Sequence, residues 1–226
     1  MNAPEKLLTF LRRHVIDQGM HIPSAFRVVD RGVLERFMGE HGFAAIVSQT
    51  DNGLLATHVP LLLEQEGDDC RLLGHMARAN PHWRYFDDRQ EAMVIFQGPH
   101  GYVSPSWYAT APAVPTWNYA VAHVYGRPRV IEDRSRLRAL LEQLVARYES
   151  SMPAPWSAAR LPPEYLEHMT DAIVAFSISV DRIEGKFKLG QNRSREDREG
   201  VIAGLTNEGG NDGLALATLA RQLLRT

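Results

Sequence analysis

Asp51-Asn52-Gly53 lies between two runs of apolar and β-branched residues, and this arrangement restricts the fold more than any other feature of the sequence. An Asn-Gly pair accepts the positive φ angles of a tight turn, so residues 41–50 and 54–64 are predicted to form an antiparallel hairpin. Five later runs have the same character, and the longest is predicted to bend at Gly126. These further strands are predicted at 70–77, 91–98, 101–107, 115–132 and 173–189.

Helical patterns concentrate in the second half of the chain. Apolar residues from Leu137 to Val145 fall on one side of a helix predicted at about 133–149. Shorter helices are predicted after Asp30 and after Asn80, since each residue is a good N-cap. The remaining helices are predicted near 163–172, 194–205 and 213–224. Strands with tight turns followed by helices indicate an α+β domain around an antiparallel, barrel-like sheet.

The domain organisation predicted for this chain of 226 residues is a short extension followed by one domain. Residues 1–19 place Leu7, Leu8 and Leu11 at helical spacing, which predicts an amphipathic helix. They lack the long apolar stretch of a secretory signal. Residues 20–226 show no repeat and no linker, so they are predicted to form a single domain.

Composition restricts the partners and the compartment. The net charge of −2 gives no basic surplus for binding along a nucleic acid. The single cysteine, Cys70, cannot build a disulfide framework, so we expect a reducing, cytoplasmic compartment. No run of eighteen apolar residues occurs, so no membrane span is expected.

Familiar catalytic and metal-binding motifs do not occur in the sequence. It contains no dinucleotide fingerprint, no Walker loop, no His-Glu-x-x-His and no paired Cys-x-x-Cys. His75 and His82 straddle a predicted strand end and Pro81, which is poor spacing for a metal site. We therefore predict no metal and assign no catalytic residue.

Three segments combine aromatic and polar residues: "GHMARANPHWR", "IFQGPHGYVSPSWY" and "VPTWNYAVAHVYG". A flat aromatic ligand needs apolar faces and a few oriented donors around its edge. A phosphate needs Arg, Lys or backbone N–H groups. These segments supply both kinds of group, although Trp and Tyr also fill protein cores with their polar tips satisfied.

These three segments, together with "THVPLLL" and "IEGKFKLGQNRSREDR", resemble those of the PaiB-type FMN-binding negative transcriptional regulators. The resemblance runs from Met20 almost to the C-terminus and leaves out residues 1–19. It implies an FMN-binding split β-barrel, antiparallel and Greek-key-like, with peripheral helices. It also implies a homodimer with the flavin at the subunit interface. The chain is more distantly similar to pyridoxamine-phosphate-oxidase-like flavoproteins.

The resemblance also implies positions for the cofactor site. Related barrels hold the phosphate and ribityl chain of FMN with groups on the second strand and just after the third. Arg78 is the first choice for the phosphate, because its planar fork binds two oxygens at once, whereas Asn80 also suits a plain helix cap. Trp117 and Asn118 are expected to reach flavin held by the other subunit. The remaining cofactor residues of these segments are Thr57, His58, His75 and Trp83.

The basic stretch from Gly185 to Gly200 divides into two parts. Strand alternation puts Lys186 and Lys188 on one face, where they suit an anion, and Gln191 lies in the turn that follows. These three residues are included in the predicted cofactor site. The charges at 195–199 alternate in sign, which is typical of a solvated helix face.

Negative transcriptional regulation is the function that the resemblance implies, and three alternatives stay open. The first is an FMN-dependent oxidoreductase of the pyridoxamine-phosphate-oxidase-like class. The second is a haem-binding or haem-degrading protein, since the chain has nine histidines. The third is direct DNA binding. The net charge argues against it, and so does the predicted loop at 206–212, which is longer than the turn of a helix-turn-helix motif. A separate regulatory protein is another partner to consider.

Overall fold

The computed structural model of the protein describes residues 19–66 and 69–224. The helix predicted for the N-terminal extension lies outside these residues. The chain forms seven strands and five α-helices over the described ranges, joined in places by single turns of 3₁₀ helix. The strands are β1 (Arg27–Val28), β2 (Phe43–Thr50), β3 (Gly53–Glu66), β4 (Asp69–Ala77), β5 (Ala92–Val103), β6 (Thr116–Ile131) and β7 (Ile173–Lys188). The helices are α1 (Arg31–Glu40), α2 (Arg134–Glu149), α3 (Pro163–Asp171), α4 (Arg195–Glu208) and α5 (Asn211–Leu224).

The strands close into a barrel. They pair antiparallel in the order β1-β7-β4-β3-β2-β5-β6, and a further pairing of β6 with β7 closes the ring. β3 is shared between two neighbours, because residues 53–60 pair with β2 and residues 61–66 pair with β4. β5 returns to lie beside β2 rather than β4, which is Greek-key connectivity. The α+β split barrel predicted from the sequence is confirmed.

The turns and helix caps predicted from local sequence signals are present in the structure. Gly53 has a φ of 108° and pairs with Thr50 across the hairpin. Asp30 caps α1 by accepting a hydrogen bond from the Val33 N–H at 2.9 Å. β5 is one continuous strand rather than the two predicted pieces, because an irregularity between Gln97 and His100 absorbs the Gly-Pro step.

Strand alternation separates a barrel interior from an outer side. The interior is apolar and includes the fully buried Ile46, Leu72, Val94, Phe96, Val124 and Phe176. A smaller cluster on the outer side packs Leu73 and Ala175 against Leu137, Leu140 and Leu144 of α2. The outward side chains at 45, 47, 93 and 95 on β2 and β5 stay partly exposed.

The two closing helices are joined more tightly than predicted. Gly209 and Gly210 alone connect α4 to α5, and both have positive φ angles, of 72° and 74°. The predicted 206–212 loop was therefore wrong, because the helices extend into it, and its length gives no argument against a helix-turn-helix. Within the described ranges, no helix is long and apolar enough to cross a membrane.

Candidate functional site

The outer face is the name used here for the outward-pointing side chains of β2, β3, β5, β6 and the end of β7. Strand register arranges these side chains in rows across the barrel. Tyr102 lies opposite Trp117. His100 lies opposite Tyr119, which in turn lies opposite Lys188. Aromatic, histidine and lysine side chains from three consecutive strands therefore meet on one surface.

Aromatic rings on the outer face are open to solvent. Trp117 is 54% exposed and Tyr102 is 45% exposed. The rings of His100 and Trp117 are stacked with centroids 6.4 Å apart, and Tyr102 meets Trp117 edge-on at 6.2 Å. These groups present a large aromatic surface that no part of the described chain covers fully.

Two lysines border the aromatic rings. Lys186 donates to the His21 carbonyl oxygen at 2.9 Å, and its Nζ lies 5.4 Å from the centre of the Tyr119 ring. Lys188 donates to the Trp117 carbonyl oxygen at 2.8 Å and to the Thr116 hydroxyl. Burial lowers the pKa of Lys188, and the charge of Lys186 lowers it further. Each ammonium has three donors, so both lysines can still attract an anion.

Arg78 and Trp83 lie at a different place, the edge where β4 ends. The guanidinium of Arg78 donates from Nε to the Asp171 carbonyl oxygen at 2.7 Å and from Nη2 to the Ile173 carbonyl oxygen at 2.8 Å. The Trp83 indole N–H donates to the Arg78 carbonyl oxygen at 3.0 Å. Arg78 is exposed, but these two hydrogen bonds of its guanidinium already connect the end of β4 to the end of α3.

Thr57 and Asn80 belong to a polar cluster inside the barrel. His82 is fully buried, with Nδ1 2.8 Å from the Thr57 hydroxyl and Nε2 2.9 Å from the Ser48 hydroxyl. Asn80 donates to Thr57 at 3.2 Å and caps the 3₁₀ turn by accepting from the His82 N–H. Burial lowers the pKa of His82. The plain capping role considered for Asn80 is thus present in the structure.

The sequence interpretation missed His82 and Ser48 as members of this cluster. Ser48 shares the inward face of β2 with Ala44 and Ile46, so strand alternation would have placed a hydroxyl in the interior. His82 was considered as a metal ligand and as one polar residue of the "GHMARANPHWR" segment, but not as an interior residue. Among the described residues, no group of three or more His, Cys, Asp or Glu side chains is placed to hold a metal ion.

For four further predicted cofactor residues, the contacts are with groups other than the Trp117 and Tyr102 rings. His58 points outward but stacks with Phe43, with ring centres 6.1 Å apart. His75 lies opposite Ala175 beside the α2 cluster, and burial lowers its pKa. Its Nδ1 has no hydrogen-bond partner among the residues that the structure describes. Asn118 is buried on the interior face. The side chain of Gln191 stabilises its own turn, because its Oε1 accepts a hydrogen bond from the Leu189 N–H at 2.8 Å.

The prediction that residues 195–199 form a solvated face was wrong for its central residue. Asp197 is 1% exposed. Its carboxylate accepts from the Thr110 N–H at 3.0 Å and from the Thr110 hydroxyl at 2.8 Å. The exposed Arg195 and Glu199 form the expected ion pair at 2.8 Å.

A separate cavity of about 640 Å³ contains none of the predicted cofactor residues. It lies along β6 and β7, where cations such as Arg129 and Arg136 alternate with acids such as Asp87 and Glu132. Its mixed charge offers no preference for a phosphate, and it lacks an open aromatic ring for a flavin. The outer face therefore remains the better candidate.

Comparison with known proteins decides the family. Residues 20–182 match the family described as "Putative FMN-binding domain". The chain belongs to this family. The match begins at Met20, where the predicted resemblance begins, and the PaiB-type resemblance is confirmed. The Bacillus subtilis (strain 168) protein named "Protease synthase and sporulation protein PAI 2" is 35% identical over 206 residues, which cover 91% of this chain and 99% of that protein.

Solved structures of other proteins have the same fold. The FAD and haem binding protein from Mycobacterium smegmatis aligns with a TM-score of 0.56 at 20% identity, covering 79% of this chain and 80% of that chain. The flavocytochrome Anf3 from Azotobacter vinelandii aligns with a TM-score of 0.58 at 18% identity, covering 77% and 75%. At these identities the comparison shows the barrel fold alone.

The residues of this chain fit FMN, the cofactor of the family. The exposed ring of Trp117 offers a face for an aromatic ring system. Lys186, Lys188 and Arg78 offer the cationic donors that a phosphate requires. FMN supplies redox chemistry when it is bound, and the chain supplies orientation and charge around it.

Proposed function

We propose that this protein is a homodimeric FMN-binding regulator whose flavin lies between the outer face of one subunit and the β4 edge of the other. The observation that carries the proposal is the open aromatic surface of Trp117 and Tyr102 beside Lys186 and Lys188. In this arrangement Trp117 covers the flavin ring, and Arg78 binds its phosphate. Catalytic residues stay unassigned.

The length of β7 supports a site shared by two chains. Arg78 binds the carbonyl oxygen of Ile173 at the start of β7, whereas Trp117 is held by Lys188 at its end. β7 has 16 residues, so about 50 Å of strand contour lies between the two groups along the chain. This separation at opposite ends of a long strand favours a site in which a partner subunit brings the two groups together.

The partly exposed apolar side chains of the outer face also support a dimer. Ala45 lies opposite Ile95, and Val47 lies opposite Met93, at the centre of this face. Contiguous apolar side chains on the surface of a soluble protein mark interaction sites. A second copy of the chain that covers these side chains would also contact the face of the flavin ring that points away from Trp117.

The regulatory role rests on the relative named for protease synthase and sporulation, which aligns with nearly the whole chain. A bound flavin offers such a regulator an input, because its redox state changes its charge and shape. A cation or a hydrogen-bond donor near the pyrimidine edge favours the reduced, anionic flavin, and Lys186 and His58 are the candidates on the outer face. We propose this redox input together with the regulatory role.

Flavin titration tests the proposal. We expect FMN to bind at about one site per subunit, with a dimer in sedimentation velocity. Arg78→Ala should weaken FMN by about tenfold and riboflavin much less, because a charged hydrogen bond to phosphate contributes about 1.5–3 kcal/mol. Arg84→Ala, an exposed arginine of the same turn, is the control. Equal loss of FMN and riboflavin would assign Arg78 a purely structural role.

A flavin-dependent oxidoreductase is the second candidate, favoured by titratable groups on the outer face. Tyr125 donates to Glu184 at 3.2 Å, and His123 lies opposite Glu184 on the neighbouring strand. Burial raises the pKa of Tyr125, and the charge of Glu184 raises it further. Reduction of bound flavin by NAD(P)H followed by reoxidation with a substrate would support this function. A Soret band on haem titration would support haem binding instead.

A further inference from the structure

The β5–β6 loop, residues 104–115, joins the two strands that carry Tyr102 and Trp117. Its conformation therefore sets how these two rings face a ligand. The turn after β7 and the start of α4 contact this loop and the residues next to it at several places. These contacts come from the basic stretch whose purpose the sequence left open.

Asp197 makes the most buried of these contacts. Both carboxylate oxygens are occupied by Thr110, one by its N–H at 3.0 Å and one by its hydroxyl at 2.8 Å. The Thr110 hydroxyl is the main reason why the pKa of Asp197 is lowered, and the backbone N–H groups of Thr110 and Ala109 contribute to it. A buried carboxylate that accepts two hydrogen bonds from Thr110 fixes the middle of the loop.

Two cations also contact the loop and the start of β6. The guanidinium of Arg193 lies 4.6 Å above the ring of Tyr108. Lys188 binds the Thr116 hydroxyl and, at 2.8 Å, the Trp117 carbonyl oxygen. Arg193 and Asp197 therefore contact the middle of the loop, and Lys188 contacts the first two residues of β6 that follow it. These three residues are called the clamp.

Trp107 packs the loop against α4 itself. A Cβ atom at Gly204 would lie 2.3 Å from the Trp107 ring, and one at Gly200 would lie 2.0 Å from the Trp107 carbonyl oxygen. Glycine at these two positions, one helical turn apart, gives the helix a groove for the indole. This close approach leaves the loop little freedom to move away from α4.

We infer that the clamp is a positioning device for the flavin-binding aromatic surface: α4 holds the β5–β6 loop so that Trp117 and Tyr102 present a fixed face to FMN. This inference rests on the proposed function, since it concerns the same surface. It assigns α4 and the residues just before it a role in cofactor binding although they lie outside residues 20–182 of the family match. None of the clamp residues needs to touch the ring for this role, although Lys188 lies near enough to the aromatic surface to do so.

The first readout uses the flavin-free protein. In Asp197→Asn, the Thr110 amide should exchange with solvent about tenfold faster, because the charge-assisted hydrogen bond is lost. Glu196→Gln, which changes an exposed carboxylate on the same helix, should leave this exchange rate unchanged. Arg193→Gln provides a second variant should Asp197→Asn fail to fold.

The second readout is the fluorescence lifetime of bound FMN, which does not depend on the fraction of folded protein. Stacked indole quenches flavin fluorescence, so Trp117→Phe reports the lifetime without quenching by Trp117. We expect Asp197→Asn to lengthen the lifetime towards that of Trp117→Phe and to weaken FMN about threefold to tenfold. Thr110→Val should have a similar effect, and the double variant should add little.

The outcomes separate the inference from the proposed function. Failure of the wild-type protein to bind FMN would overturn the proposed function and, with it, the role of the clamp in flavin binding. Wild-type FMN affinity and lifetime in Asp197→Asn and Arg193→Gln would overturn the clamp inference alone. A changed lifetime in both variants, with Glu196→Gln unchanged, would support it.

Discussion

The polar cluster inside the barrel and the outer face use similar side chains in opposite ways. Inside, His82 has a hydroxyl partner on each ring nitrogen and is shielded from water. Outside, the rings of Trp117 and Tyr102 are about half exposed, and Lys186 keeps unused donors. A buried cluster whose polar groups are hydrogen-bonded to one another stabilises the fold. An exposed aromatic and cationic surface still has ring faces and N–H groups that can contact a ligand. This difference is the reason for proposing the outer face, and not the cluster with the most hydrogen bonds, as the ligand site.

The largest expected effect is on stability, in a pair of matched histidine variants. His82→Leu should lower the free energy of unfolding by about 3 kcal/mol, because it leaves the Ser48 hydroxyl unpaired in the interior. His75→Leu should be neutral or stabilising by up to about 1 kcal/mol, since within the described ranges its Nδ1 has no hydrogen-bond partner to lose. Urea unfolding with unchanged m-values measures both. A similar loss in the two variants would remove the contrast between satisfied and unsatisfied histidines.

The next effect is on cofactor affinity. Trp117→Ala should weaken FMN about tenfold, because it removes a stacking face together with its buried area. Trp156→Ala changes another partly exposed tryptophan, on the loop before α3, and should leave FMN affinity unchanged. Titration followed by flavin absorbance measures both. Equal weakening in the two variants would show that the outer face has no special part in binding.

Much of the fold was predictable because its signals are local. The Asp51–Gly53 turn, the Asp30 cap and the alternating strands each depend on neighbouring residues. Strand alternation would also have placed Asn118 and Trp117 on opposite faces of β6, whereas the sequence interpretation assigned both residues to the same site. The partners of Arg78 and Asp197 were not predictable in this way, since they lie 93 and 87 residues away along the chain.

A smaller effect is expected on changing pH. Burial lowers the pKa of His82 and of His75, so the unfolded chain binds more protons than the folded chain below about pH 6.5. Stability should therefore fall as pH decreases through this value and level off below the folded pKa values. The slope, at most about 1.4 kcal/mol per pH unit for each histidine, should be shallower in His82→Leu and in His75→Leu. Parallel slopes in all three proteins would exclude these histidines as the cause.

The smallest effect is expected on removing the N-terminal extension. A chain that begins at Met20 keeps the Met20 nitrogen, which donates to Glu184 at 2.7 Å, and the His21 carbonyl that binds Lys186. We expect it to fold and to bind FMN as the full chain does, by thermal unfolding and flavin titration. Loss of flavin binding or of solubility would show that residues 1–19 belong to the domain or to the dimer.

The most direct test of the shared site mixes two defective proteins, Arg78→Ala and Trp117→Ala, under conditions where subunits exchange. In a mixed dimer with shared pockets, one site carries both defects and the other carries neither. Tight FMN binding should therefore return at about one quarter of all sites after random 1:1 pairing. If exchange is demonstrated and no tight sites return, each pocket is built within one chain and the interface assignment is wrong.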